Sequence, residues 1–133
     1  MKYSEARELP IEGLAALYRA NGWSSAEKPE LLRKALIGSD ALVTAWDETR
    51  LVGLGNANSD GCLVVYYPHL IVHPDYQRQG IGREIMRRLM HRYEQYHQQM
   101  LVADGNAIEF YRKCGFRRAG QTEPMWIYAG QDH

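Results

Sequence analysis

Six residues, Gln77-Arg78-Gln79-Gly80-Ile81-Gly82, have the types and spacing to do chemistry. An apolar stretch (Leu63 to Val72) runs into them, and a helix-period pattern (Ile81 to about Gln98) runs out. Glycines lack Cβ atoms, so Gly80 and Gly82 can turn backbone N–H groups toward one point. The first turn of the helix offers up to about four unpaired N–H donors and the positive end of its dipole. Together these make an anion site suited to phosphate. Arg78 and Arg83 add side-chain charge beside it. A strand-to-helix connection that only needs a tight turn would use the same glycines, so the surrounding pattern has to decide between the two.

Other phosphate loops fit less well. No Gly-Lys-Ser/Thr ending follows, which excludes a Walker A loop. A dinucleotide fingerprint needs a third small residue where Ile85 stands and an acid about 20 residues on, where Val102 lies. Instead, Gln77-x-x-Gly80-x-Gly82 after an apolar strand and a Val72-His73-Pro74 turn resembles the pyrophosphate loop of the GNAT superfamily, the acetyl-CoA-dependent N-acetyltransferases. A second block strengthens the resemblance. Asn106-Ala107-Ile108-Glu109-Phe110-Tyr111-Arg112-Lys113-Cys114-Gly115-Phe116 is similar to the family's N-x-x-A-x-x-F-Y-x-x-x-G-F region, with one residue fewer in the first gap. The resemblance covers roughly Ala41 to Tyr128 well and the first forty residues loosely.

The elements that must position these residues follow from periodicity and turn signals. A short strand is expected over Lys2 to Ala6. Pro10 opens a helix with Ile11, Leu14, Ala15 and Tyr18 on one face and Gly22 as its stop. Glu27 to Ile37 is a second helix, ended near Gly38. Ala41 to Trp46 and Leu51 to Asn56 form a hairpin, and Gly53 and Gly55 in its second strand predict a bulge or a close approach. Asn58 to Gly61 is a turn. Cys62 to Val72 is a strand interrupted at Pro68, which lacks an N–H for the ladder, so a kink or bulge is predicted near Pro68 to Leu70. The next helix places Ile81, Ile85, Leu89, Tyr93 and Tyr96 inward and Arg83, Arg87, Arg88 and Arg92 outward, with Glu84 one turn before Arg88. A strand over Met100 to Ala103, a helix over Ala107 to Cys114 and a hairpin of Phe116 to Gly120 with Met125 to Tyr128 complete the chain. This is an α/β (α+β) order. It agrees with the GNAT-type mixed, mostly antiparallel central sheet, flanked by helices, with central strands splayed around the cofactor.

Composition sets the outer bounds. A chain of 133 residues reads as one domain and can bury about two-thirds of its unfolded surface. Sixteen basic and sixteen acidic residues cancel, against the basic excess of a general nucleic-acid binder. The acid-bearing start MKYSEARELP is not a signal peptide, and no apolar run is long enough for a membrane span. Cys62 and Cys114 stand alone, and the histidines lack metal-ligand spacing, so no metal and a cytoplasmic setting are expected.

The resemblance implies roles. The loop Gln77, Arg78, Gln79, Gly80, Ile81, Gly82 and Arg83 would hold the pyrophosphate of acetyl-CoA. Matching family strands carry a bulge whose free backbone N–H groups, here at Leu70, Ile71 and Val72, meet the thioester and pantetheine arm. One well-aimed donor to an oxyanion is worth ~3 kcal/mol of barrier. Asn106 matches the family's cofactor-contacting asparagine, and its position also suits an N-cap. Tyr111 matches the tyrosine that protonates the departing thiolate. The base that neutralises the amine is not given by the motif. His69 lies near the place where many relatives carry a carboxylate, and a histidine titrating near ~6.5 suits the task. Glu123 is a second candidate. Trp23, Trp46, Tyr66, Tyr67 and Trp126 hint at an aromatic acceptor pocket for a small-molecule or peptide amine. A homodimer is common in the family. A non-catalytic acyl-CoA sensor is the alternative reading.

Overall fold

The computed structural model describes residues 1–130. β1 (Lys2–Ser4) is followed by α1 (Ile11–Ala20), a 3₁₀ turn (Ser24–Glu27) and α2 (Pro29–Ile37). β2 (Ala41–Asp47), β3 (Arg50–Ser59), β4 (Val64–Tyr66) and β5 (Leu70–Val72) come next. A 3₁₀ turn (Pro74–Tyr76) leads to α3 (Ile81–Arg92), β6 (Gln98–Met100) and α4 (Ala107–Lys113). The strands form one open six-stranded sheet in the order β1-β2-β3-β4-β6, with β5 also paired to β3. Every pairing is antiparallel except β4 with β6.

The sheet is covered on both faces, which is why β2 and β3 read as nearly continuous apolar runs. Ala41, Val43, Ala45 and Val52 face α3, against Ile81, Ile85, Met86 and Leu89. Leu42, Leu51, Leu54 and Ile71 face α1 and α2, against Leu14, Leu17, Leu32 and Leu36. The glycines of β3 set the distance of α3 from the sheet. A Cβ on Gly55 would lie 2.7 Å from Ile85 Cγ2 and 3.0 Å from Leu89 Cδ1. One on Gly53 would crowd the Ile71 carbonyl of β5 at 3.2 Å and reach ordinary contact, 3.4 Å, with Ile81 Cγ2 and Ile85 Cδ1. The close approach expected at these glycines is therefore met, and it seats the N-terminal end of α3 against the end of β5.

Several boundaries differ from the periodicity. α3 stops at Arg92 instead of running to about Gln98. Tyr93 ends it with a non-helical backbone and donates its hydroxyl to the Asp40 carboxylate, so side-chain anchoring overrides the helical repeat. That hydrogen bond is also the main reason the Asp40 carboxyl sits below its usual range. β3 runs on to Ser59, through the start of the expected turn. The reversal falls at Asp60, whose carboxylate Oδ1 accepts from the N–H groups of Cys62, Leu63 and Val64 at 2.7–3.1 Å. β6 forms at Gln98–Met100 rather than Met100 to Ala103, because it follows β4 only to the bond from Tyr67 N–H to Met100 O. Pro68 and the bulge beyond it offer no continuing ladder. The expected last hairpin is not formed: among the described residues no strand follows α4.

Candidate active site

The phosphate loop is built chiefly from backbone. Gly80 caps α3 in the left-handed region at φ 85°, and a Cβ placed on it would meet nothing within 4 Å. The space beside it is open to a ligand. The first helical bond of α3 is from Glu84 N–H to Gly80 O, which leaves the N–H groups of Ile81, Gly82 and Arg83 unpaired within the helix. Gly82 serves a different purpose. Its missing Cβ would lie 3.4 Å from Phe110 Cζ and 3.7 Å from Val72 Cγ2. One glycine is required by the turn; at the other, α4 and β5 close to ordinary contact distance with the helix start.

Gln77 works inside the loop. Its side-chain amide donates to Val72 O at 3.0 Å and to Asn21 Oδ1 at 3.4 Å, while its N–H donates to Pro74 O. Arg78 holds a left-handed backbone at φ 64° and is exposed, as are Gln79 and Arg83. Arg83, Arg87, Lys113 and Cys114 line a groove of about 410 Å³ beside Gly80. Its one carboxylate, Glu84, is engaged by Arg87 and Arg88 at 2.7 Å each. Those bonds hold its pKa down to about 2. The groove is thus cationic next to the donors, which fits a pyrophosphate-bearing ligand.

The bulge forms where proline predicted it. β3 pairs Asn58 with Tyr66, then resumes with Gly55 opposite Leu70. Between these ladders Asn56 and Ala57 face Tyr67, Pro68 and His69, so one strand carries an extra residue. Asn56 holds the distortion. Its N–H donates to His69 O at 3.1 Å, and its side-chain Oδ1 accepts from His69 N–H at 2.9 Å. Beyond the bulge, the bonds from Asn56 N–H to His69 O and from His73 N–H to Val52 O set the phase of the ladder. By its alternation, the N–H of Ile71 turns toward β3, and those of Leu70 and Val72 turn away. Among the described residues β5 has no strand on that second side. The central strands are splayed there, with two N–H groups facing the gap. Of the three residues Leu70 to Val72, Ile71 has its amide committed to the sheet and its side chain buried in the α1–α2 layer.

Tyr111 follows the residue that covers Gly82. Phe110 stands over Gly82, and Tyr111, next on α4, meets Phe110 and Phe116 edge-on and packs against the α3 layer. Burial pushes its phenol up to about 12, helped by the Cys114 thiol, so it remains protonated across the working range. Burial raises Cys114 as well, partly offset by Arg83. Asn106 is exposed at the cap position of α4, and its side chain makes no capping bond.

His69 sits on the bulge itself. Its Nδ1 lies 2.7 Å from the hydroxyl of Tyr18. The Trp23 ring stands edge-on at 5.5 Å. Tyr18 is wholly buried, and burial raises its pKa, so it stays a neutral phenol beside the imidazole. The neighbouring His73 is structural: its Nδ1 accepts from Asp75 N–H at 3.1 Å. Trp46 is tied to Thr44 in the half-buried layer of β2, and Glu123 is exposed beyond α4. Tyr67 is buried and donates to Gln99.

Local patterning missed some of these partners. Asn56 left a signal, a polar residue inside an apolar strand. Asn21, which donates to both Leu17 O and Val72 O, left none, because its partner lies 51 positions away. Tyr18 reads from sequence as part of the inward face of α1; it is buried there, and its hydroxyl meets His69. Among the described residues no group of His, Cys, Asp or Glu is placed to hold a metal ion, and no helix is long and apolar enough to cross a membrane.

Known proteins resemble this chain in sequence and fold. A family model described as an acetyltransferase (GNAT) domain matches residues 7–125. The uncharacterized N-acetyltransferase ycf52 of Gracilaria tenuistipitata var. liui is 34% identical over 115 residues, covering 80% of this chain and 61% of that protein. Its counterpart in Porphyra purpurea is 37% identical over 70 residues, 51% of this chain and 40% of that protein. This chain therefore matches less than two-thirds of the length of these curated relatives. Two solved structures match nearly end to end, each covering 96% of this chain and 98% of the other. The GNAT-family acetyltransferase SP0256 of Streptococcus pneumoniae TIGR4 has a TM-score of 0.82 at 31% identity. SA2161, a protein of unknown function from meticillin-resistant Staphylococcus aureus, has a TM-score of 0.84 at 28% identity. By the match of the family model over most of its length, the chain belongs to the GNAT acetyltransferase family.

Proposed function

We propose that this chain moves the acetyl group of acetyl-CoA to a primary amine by direct attack within a ternary complex. The observation that carries the reading is the meeting of three elements at Gly82. The helix start supplies anion donors, β5 supplies outward N–H groups at Leu70 and Val72, and α4 lays Phe110 over Gly82 with Tyr111 next along it. The N–H groups of Ile81, Gly82 and Arg83, with the Arg83 and Lys113 side chains near them, would hold the pyrophosphate end of the co-substrate. Acetyl-CoA itself supplies the activated thioester. The Leu70 or Val72 amide then stabilises the oxyanion as it forms, a contribution of ~3 kcal/mol for one well-aimed donor.

Tyr111 acts at the leaving sulfur. A phenol held near 12 is a weaker acid than a free thiol of ~8.5, so it gives its proton only as negative charge builds on the sulfur. Until then it is a hydrogen-bond donor. On the acceptor side, His69 takes the proton of the attacking amine, directly or through water, with Tyr18 fixing its ring.

The test is thiol release from acetyl-CoA against a panel of amines, with calorimetric CoA binding alongside. Turnover that requires an amine supports the transferase and begins to name the acceptor. Tight CoA binding without turnover across the panel favours the acyl-CoA sensor. Absence of CoA binding removes the reading of the loop.

A further inference from the structure

Two side chains from the end of α1 cross to the segment that carries the site. Tyr18 meets His69, and Asn21, the residue that caps the helix, meets Val72. Both lie in one tight turn. The Tyr18 carbonyl accepts from Asn21 N–H and from Trp23 N–H, each at 3.1 Å. Gly22 takes a left-handed backbone at φ 71°, which brings Trp23 back over the helix end. The Trp23 ring then stands edge-on to Tyr18 at 5.4 Å and to His69 at 5.5 Å. A shift of Asn21 is therefore carried to both rings that hold His69.

The Asn21 side chain is tied in turn to the phosphate loop. Its amide donates to Leu17 O at 3.1 Å and to Val72 O at 3.3 Å, and its Oδ1 accepts from Gln77 Nε2 at 3.4 Å. Gln77 also donates to Val72 O at 3.0 Å, which closes a triangle of helix cap, strand end and loop. The Val72–His73 peptide is pinned from its other side by the bond from His73 N–H to Val52 O at 2.8 Å. A carboxamide suits this corner because it offers two donors for two carbonyls and an acceptor for Gln77; an aspartate of the same size only accepts. Asn21 is half-buried and Gln77 is exposed, so water reaches both. Such bonds add little to stability, and their effect is on geometry.

We infer that Asn21 is a positioning residue: it ties the phosphate loop to the turn that holds His69, so that filling the loop with a pyrophosphate sets the side proposed for the acceptor. The inference rests on the loop taking the co-substrate as proposed above. The connection is contiguous. It runs from Gln77 to Asn21 Oδ1, through the Tyr18 carbonyl to its ring, and from the Tyr18 hydroxyl to His69 Nδ1. Coupling of this kind is reciprocal, so an occupied acceptor side tightens the loop by the same factor.

The probe is 3′-phosphoadenosine 5′-diphosphate, which is CoA without its pantetheine arm. It carries the pyrophosphate meant for the loop and lacks the arm that would run toward His69. In protein labelled with ¹⁵N-histidine, with the His69 ring signals identified by their loss in His69→Gln, saturating nucleotide should shift those signals. Asn21→Ala and Asn21→Asp should each abolish the shift, with nucleotide affinity by calorimetry within about threefold of wild type. Gln77→Ala breaks the triangle from the loop side and should abolish it too, with folding of every variant read by circular dichroism. A wild-type His69 signal that ignores bound nucleotide, or a shift that survives both Asn21 changes, overturns the inference. Binding of CoA without binding of the nucleotide also overturns it, because the loop would not then answer to its own ligand. If neither binds, calorimetry shows that the reading of the loop itself has failed, and the inference falls with it.

Discussion

The two sides of the gap beside β5 are made differently. The loop side is mostly backbone: Gly80 at φ 85°, the open first turn of α3, and the amides of Leu70 and Val72. The side proposed for the acceptor is side chains: His69 held by Tyr18 from 51 residues away, with Trp23 edge-on. Backbone donors need only a local conformation, so a short motif specifies them. Side-chain clusters need the whole fold to bring them together. The contrast accounts for a family that keeps its acyl carrier while its acceptors vary, since function resides in the site and not in the fold.

The comparison can be broken at either side. The largest effect is expected from Gly82→Trp, whose side chain would push against Phe110 and Val72 and spoil both the donors and the seat of α4. CoA affinity by calorimetry should fall by about 100-fold or more, roughly 2.7 kcal/mol. Unchanged affinity would mean the donors lie elsewhere.

Tyr111→Phe leaves the backbone donors alone. It should lower kcat by about 10²-fold with CoA affinity nearly unchanged. Because burial lifts this phenol to about 12, the wild-type rate should show no falling basic limb below that region. Full turnover in the variant with chemistry rate-limiting, or a Tyr111-dependent limb near pH 9, would remove the acid role.

On the acceptor side, His69→Ala should flatten the rising acid limb of the pH–rate profile, and an unchanged limb would dismiss His69 as the base. Tyr18→Phe sharpens the point. Loss of one hydrogen bond should cost about 1 kcal/mol of stability in denaturant unfolding and move the acid limb without touching CoA affinity. A Tyr18→Phe profile that overlays the wild type would uncouple the pair.

The smallest effect concerns the outer face of α3. Glu84→Gln should cost about 0.2–1 kcal/mol at neutral pH, as exposed ion pairs do. Its carboxyl is depressed in the folded state, so the stabilisation is present above its ordinary 4.5 and is lost as pH falls toward about 2. Urea titrations of both proteins should converge there; a gap that persists at pH 2 would assign the effect to packing.

Much of this molecule follows from residue order alone. The Gly80–Gly82 spacing marked the helix start, Pro68 marked the bulge, and Gly53 and Gly55 marked the close seat of α3. Each is a backbone effect, carried by a residue that lacks a Cβ or an N–H, and such effects act within a few positions. Other features were decided in three dimensions. Tyr93 ended α3 by reaching Asp40, Phe110 claimed the space over Gly82, and Tyr18 took His69. Asn56 closed the bulge with its side chain. The segment after α4 kept the strand pattern of its residues without forming a strand among the described residues. These outcomes depend on which distant groups share a surface, and only the assembled sheet and its helices determine that.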